Sequence, residues 1–125
     1  MITMNKKEIA IAFLRSASSG KVKEAYKKYI HPDFLHHNPY FPGDRESLLK
    51  GMEKNAIEYP NKHYEVIHAL EDGNMVAVHG WVQLASNMPK VALFHLFRLE
   101  GNLIIEEWET TQEIPRDSIN KNGMF

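Results

Sequence analysis

His95 sits between Phe94 and Leu96, and Glu106, Glu107 and Glu109 surround Trp108, in two runs otherwise rich in β-branched and aromatic residues. An imidazole and a carboxyl group held together can trade a proton near neutrality. Desolvation raises the acid's pKa and a nearby imidazolium lowers it, so the balance can poise the pair. Unpaired burial costs about 1–3 kcal/mol per polar group, so polar residues in apolar runs face water, find partners or have a task. Glu109 is therefore read as a general base or acid and His95 as its partner. The blander readings stand beside this one: His95 as a satisfied sheet histidine, and Glu109, with Glu107 even more so, as solvent-facing strand carboxylates.

Further candidates lie upstream. His37 and Asn38 precede Pro39 in a stretch, 33–43, dense in aromatics and prolines; they either cap a loop or orient a substrate oxygen. His79 and Trp81 alternate with Gln83 on one strand face, while Val76, Val78, Val82 and Leu84 share the other. The His79 face is either cavity lining or a dimer surface. With Trp108 as a wall, the ligand-binding set is His37, Asn38, His79, Trp81 and Trp108. No H-E-x-x-H spacing occurs, the adjacent His36 and His37 point apart if extended, and the chain has no cysteine, so no metal is expected. Isolated glycines form neither a phosphate-binding loop nor a G-x-S-x-G elbow, so no cofactor is expected and serine catalysis has no support.

The elements that must position these residues follow from periodicity. Asn5, with Glu8 three residues on, opens a helix whose stripe is Ile9, Ala10, Phe13, Leu14 and Ala17. A second helix, about 21–30, buries Val22, Ala25, Tyr26 and Tyr29 and stops at His31-Pro32. Phe34, Leu35, Tyr40 and Phe41 in the irregular stretch are expected to pack inward. Asp44 caps a third helix, about 45–58, with Leu48, Leu49, Met52 and Ile57 apolar. From residue 62 the period becomes 2, giving strands at about 62–70, 75–85, 92–99 and 103–112. Gly101-Asn102 supplies a two-residue hairpin turn. The plan is α+β: three N-terminal helices packed on a curved, mainly antiparallel sheet with a cavity between.

The final hairpin's register decides the chemistry. A strict two-residue turn sets Glu100 opposite Leu103 and His95 opposite Trp108, which turns Glu109 to the other face. The consecutive Ile104 and Ile105 break the alternation and permit a bulge that returns His95 and Glu109 to one face, and bulges favour active sites.

Length and charge bound the rest. The 125 residues make one domain, with a core at about 5–115 and a loose polar tail. Fifteen basic and sixteen acidic residues leave a net charge of −1, without the basic footprint of a nucleic-acid binder. No run approaches a membrane span and no secretory h-region follows the first lysines, so a cytoplasmic protein is expected.

His37-Asn38-Pro39 after Tyr29-Ile30-His31-Pro32-Asp33, Pro42-Gly43 before a helix, Val78-His79, Phe97-Arg98, Gly101, and Glu106-Glu107-Trp108-Glu109 with Gln112 are together informative. In this order and spacing, over roughly residues 5–115, the chain resembles SnoaL-like proteins of the nuclear transport factor 2-like superfamily, which include polyketide cyclases. The resemblance implies a cone-shaped α+β domain and a homodimer. In many such sequences the position of His95 is aspartate, that of Glu107 histidine and that of Glu109 aspartate. Here the acid of the last strand is one methylene longer and the histidine has moved to the neighbouring strand. The superfamily also holds isomerases, dehydratases, epoxide hydrolases and non-catalytic modules. Two function classes follow: a cofactor-independent acid/base enzyme on a small apolar, carbonyl- or ring-bearing molecule, or a non-catalytic ligand-binding or dimerisation module.

Overall fold

The computed structural model describes residues 4–125. Asn5 accepts a hydrogen bond from the Glu8 backbone N–H (2.8 Å) and starts α1, Lys6–Ser18, whose buried face is the expected stripe. Helix α2, Val22–Tyr29, buries Val22, Ala25 and Tyr26. Asp44 caps α3, Arg45–Glu58, by accepting from the Ser47 N–H (2.9 Å) and hydroxyl (2.7 Å). Of the apolar residues expected to pack from α3, Leu48 is buried and Leu49 and Met52 are partly so, while Ile57 points out into solvent.

Five strands form one open sheet in the order β1-β5-β4-β3-β2. Four were expected: β2, His63–Asp72; β3, Met75–Gln83; β4, Lys90–Glu100; and β5, Leu103–Glu113. The fifth, β1 (Ile30–His36), lies in the stretch read as irregular and pairs in parallel with β5. Its one-sided burial, with Pro32 and Asp33 in the middle, hid it; proline is tolerated there because β1 is an edge. Strand alternation also corrects the expected inward packing. Phe34 is buried and Phe41 packs against the core, but Leu35 and Tyr40 are exposed.

The helices cover one face of the sheet. Phe13 meets Tyr26 and Phe97 edge-on, and Tyr26 meets Phe34 likewise, with ring centroids 5.9–6.2 Å apart. Such pairs add to the area they bury. The tight turns after β2 and β4 each begin with a glycine at positive φ, Gly73 at 60° and Gly101 at 59°, whereas Asn102 keeps a negative φ. Glycine at the first central position is the II′ pattern that matches strand twist. No helix among the described residues is long and apolar enough to cross a membrane. The tail beyond β5 has no helix or strand, and its last residue, Phe125, rests against Trp81 on the uncovered face of the sheet.

Candidate active site

Within β5 the residue pairing shifts once. Leu99 faces Ile104 and Arg98 faces Glu106, which leaves Ile105 as the extra residue of a bulge. Beyond it Phe97 faces Glu107 and His95 faces Glu109, so all four share the helix-facing side. Without that one residue of slack the carboxylates would alternate outward.

A cavity of about 250 Å³ lies between this face and the helices. Phe13 and Leu14 of α1, Leu48 and Met52 of α3, Phe41, Val82, Leu84 and Leu93 make its apolar wall. His95, Glu107, Glu109, Asn38 and Tyr64 add polar groups. His95 is 7% exposed and Glu107 4%. The His95 Nε2 lies 3.7 Å from Glu107 Oε1 and 3.7 Å from Glu109 Oε2. Asn38 Nδ2 donates to Glu109 Oε1 at 3.0 Å, fixing that carboxylate.

Burial shifts the proton affinities of two of these groups. Desolvation holds the His95 pKa below the usual imidazole value, against the opposing pull of Glu109. Desolvation, reinforced by Glu109, pushes the Glu107 acid well above the usual carboxylate range. The His95 imidazole thus sits between a Glu107 carboxyl that burial biases towards its acid form and a Glu109 carboxyl held by an amide. Desolvation also raises the Tyr64 phenol, whose buried hydroxyl has no partner, and His95 Nδ1 is likewise unpartnered.

The loop carrying Asn38 is pinned from both ends. His36 Nε2–H donates to the Pro42 carbonyl at 2.7 Å and its Nδ1 accepts from the Asn38 N–H at 3.2 Å, so one neutral tautomer spans the loop. Phe41 folds over α3 where Gly51 leaves room. A Cβ on Gly51 would collide with the Phe41 ring.

Four of the seven expected site residues lie off the cavity. His37 stacks on Trp108 (centroids 5.0 Å, planes 4° apart) and its Nε2–H donates to Glu106 at 2.8 Å. That bond, with those from Arg98, holds the Glu106 carboxyl below the usual range. His79 stacks between His68 and Phe94, and Trp81 packs with His63, Lys90 and Phe125. For His79, Trp81 and Trp108 the cause is the two-residue alternation of β3 and β5, which sends these side chains to the face opposite the helices. Asn38 is in the cavity, but it orients the Glu109 carboxylate rather than standing free for a substrate oxygen. Glu107 was read as solvent-facing and is among the most buried polar residues. Tyr64, Lys62 and Asn55 also line the cavity and had not been singled out. The period-2 reading of β2 could have found Tyr64; the other two carried no signal.

His95, Glu107 and Glu109 also offer one metal-donor atom each, all within 4.8 Å of one another. Motif spacing had suggested no metal. The three donors come from two different strands, β4 and β5, so no single-element spacing such as H-E-x-x-H announces them.

Solved structures share the fold. A candidate polyketide cyclase from Streptomyces antibioticus superposes with a TM-score of 0.74 at 16% identity, over 87% of this chain and 93% of that one. A nuclear transport factor 2-like protein of unknown function from Cytophaga hutchinsonii gives 0.70 at 20% identity, over 89% and 93%. This chain has the nuclear transport factor 2-like fold. A candidate hydroxylase from Streptomyces galilaeus has it too, with a TM-score of 0.73 at 16% identity over 86% and 88%. The fold therefore hosts proteins of different names, and the chemistry must be argued from the site. No known family profile matches the chain, and no curated protein matches its sequence.

Proposed function

We propose that the chain is a SnoaL-like, cofactor-independent acid/base enzyme that acts on a small apolar molecule bearing a carbonyl and a ring. The observation that carries this reading is His95, buried between Glu107 and the Asn38-held Glu109 in an apolar cavity.

Glu109 takes a proton from the carbon beside a substrate carbonyl, and the C–H electron pair becomes the enolate. The acid of Glu107 and the free hydroxyl of Tyr64 are the donors available to the developing oxyanion. In a cyclisation the enolate carbon attacks a second carbonyl of the same molecule, a C–C bond forms, and the new alkoxide takes the Glu107 proton. The proton on Glu109 then returns to Glu107 through His95, so the site is restored without a co-reactant. Contacts near 3.7 Å are long for proton transfer, and such contacts commonly tighten when substrate binds.

The candidate polyketide cyclase among the structural relatives supports a cyclase-type role. Ligand pockets usually span about 300–1,000 Å³. A cavity near 250 Å³ suits one or two fused rings rather than a larger polycycle. The first test is α-hydrogen exchange of 2-tetralone in D2O, followed by NMR with a chelator present. Saturable acceleration above buffer supports the reading. Exchange at the buffer rate would instead favour the non-catalytic binding module, and acceleration lost on chelation would favour a metal on the same three residues.

A further inference from the structure

The cavity has a polar group that proton transfer does not use. Lys62, just before β2, and Asn55, in the last turn of α3, both line the cavity, and the Lys62 ammonium donates to Asn55 Oδ1. The lysine is held in place by its backbone, since Lys62 N–H donates to the Tyr59 carbonyl and Tyr59 N–H to that of Asn55. It is half-buried, and among the described residues no carboxylate pairs with it. Among the described residues it is also the only Lys or Arg lining the cavity, whose acidic residues are Glu107 and Glu109.

From this juxtaposition we infer that Lys62 is a specificity-determining residue, and that the cavity takes a small ring-bearing carboxylic acid whose carboxylate lies on the Lys62 ammonium. The inference rests on the proposed function only for which end of the ligand reacts; the anion subsite is a matter of binding.

Three observations converge on it. An ammonium has three donors, and Asn55 takes one. Burial pulls the Lys62 pKa below its usual value, the mark of a cation lacking a counter-charge, and an arriving carboxylate would relieve that cost. The charge pattern also orients the ligand. A carboxylate is repelled by Glu109 and drawn to Lys62, so the charged end of a ligand belongs at Lys62 and its ring against the apolar wall. A lysine acting merely as a tether between α3 and β2 would give no such preference.

The test compares binding of 2-naphthoate and its methyl ester by fluorescence titration, on wild type, Lys62→Met and Lys62→Arg. A charge-assisted contact should favour the acid by about tenfold or more in wild type and in Lys62→Arg. The acid and ester should become nearly equal in Lys62→Met. The wild-type preference should also shrink in high salt, a readout that survives if Lys62→Met does not fold. Equal affinity of wild type for acid and ester, no binding of naphthoate at millimolar concentration, or a preference that persists in Lys62→Met would overturn the inference. Because the readout is binding, a Lys62-dependent preference without tetralone exchange would defeat the enzymatic reading and leave this one standing.

Discussion

Burial drives the protons of His95 and Glu107 in opposite senses, and both leave a mark on stability. The folded chain keeps His95 neutral where the unfolded chain takes up a proton, so this contribution is present above the usual imidazole pKa and is lost as pH falls below it. Glu107 behaves in reverse. The unfolded acid ionises above about pH 4.5 while the folded one keeps its proton, so stability falls as pH rises above that value. The slope for one proton is at most about 1.4 kcal/mol per pH unit. Glu107→Gln should therefore melt at a higher temperature than wild type at pH 8, with the gap closing towards pH 5. A gap that is constant with pH would show that Glu107 is ionised in the folded chain. The sequence pointed to His95 and Glu109 because charged groups within an apolar ribbon are conspicuous. It could not rank Glu107 against Glu106, neighbours whose opposite fates depend on a single slip of register.

At the scale of elements, the bulge at Ile105 and the loop over α3 build the site. Two adjacent isoleucines gave the bulge away, whereas β1 was hidden because Pro32 and Asp33 interrupt its pattern and only its inward residues, such as Phe34 and His36, are buried. His79 and Trp81 were read as sharing a strand face with Gln83, and Trp108 as a cavity wall. Which face met the helices could not be read from alternation alone, because both faces carry apolar side chains. Gly51 shows how the loop depends on the helix beneath it. Alanine is the better helix former by about 1 kcal/mol, but its Cβ would displace Phe41 from the cavity wall. Gly51→Ala is expected to leave the melting temperature unchanged or raised while weakening 2-naphthoate binding. A melt and a titration on one preparation check this, and binding as tight as wild type would mean that Phe41 is no part of the wall.

At the scale of the whole molecule, the face of the sheet turned away from the helices is still uncovered. Leu70 (72% exposed), Phe94 (55%) and Leu96 (38%) lie across it, beside the His68–His79–Phe94 stack. Lys90 and Arg98 accompany Glu65 and Glu106 on the same face, so two copies related by a two-fold axis can match opposite charges around an apolar centre. We propose a second copy of this chain as its occupant. Sedimentation should show a dimer for wild type and a monomer for Phe94→Glu, a substitution on the side of β4 away from His95. A wild-type monomer at high micromolar concentration would contradict this.

The central claim is that Glu109 moves a proton in this cavity, and it is tested most directly by the rate of 2-tetralone α-hydrogen exchange on Glu109→Gln relative to wild type. Positioned proton transfer contributes about 10²–10⁴-fold, so exchange should fall by about that factor. Binding of 2-naphthoate on the same samples should persist, because Lys62 and the apolar wall are untouched. Exchange on Glu109→Gln as fast as on wild type would place the chemistry elsewhere and reduce Glu109 to a partner of Asn38.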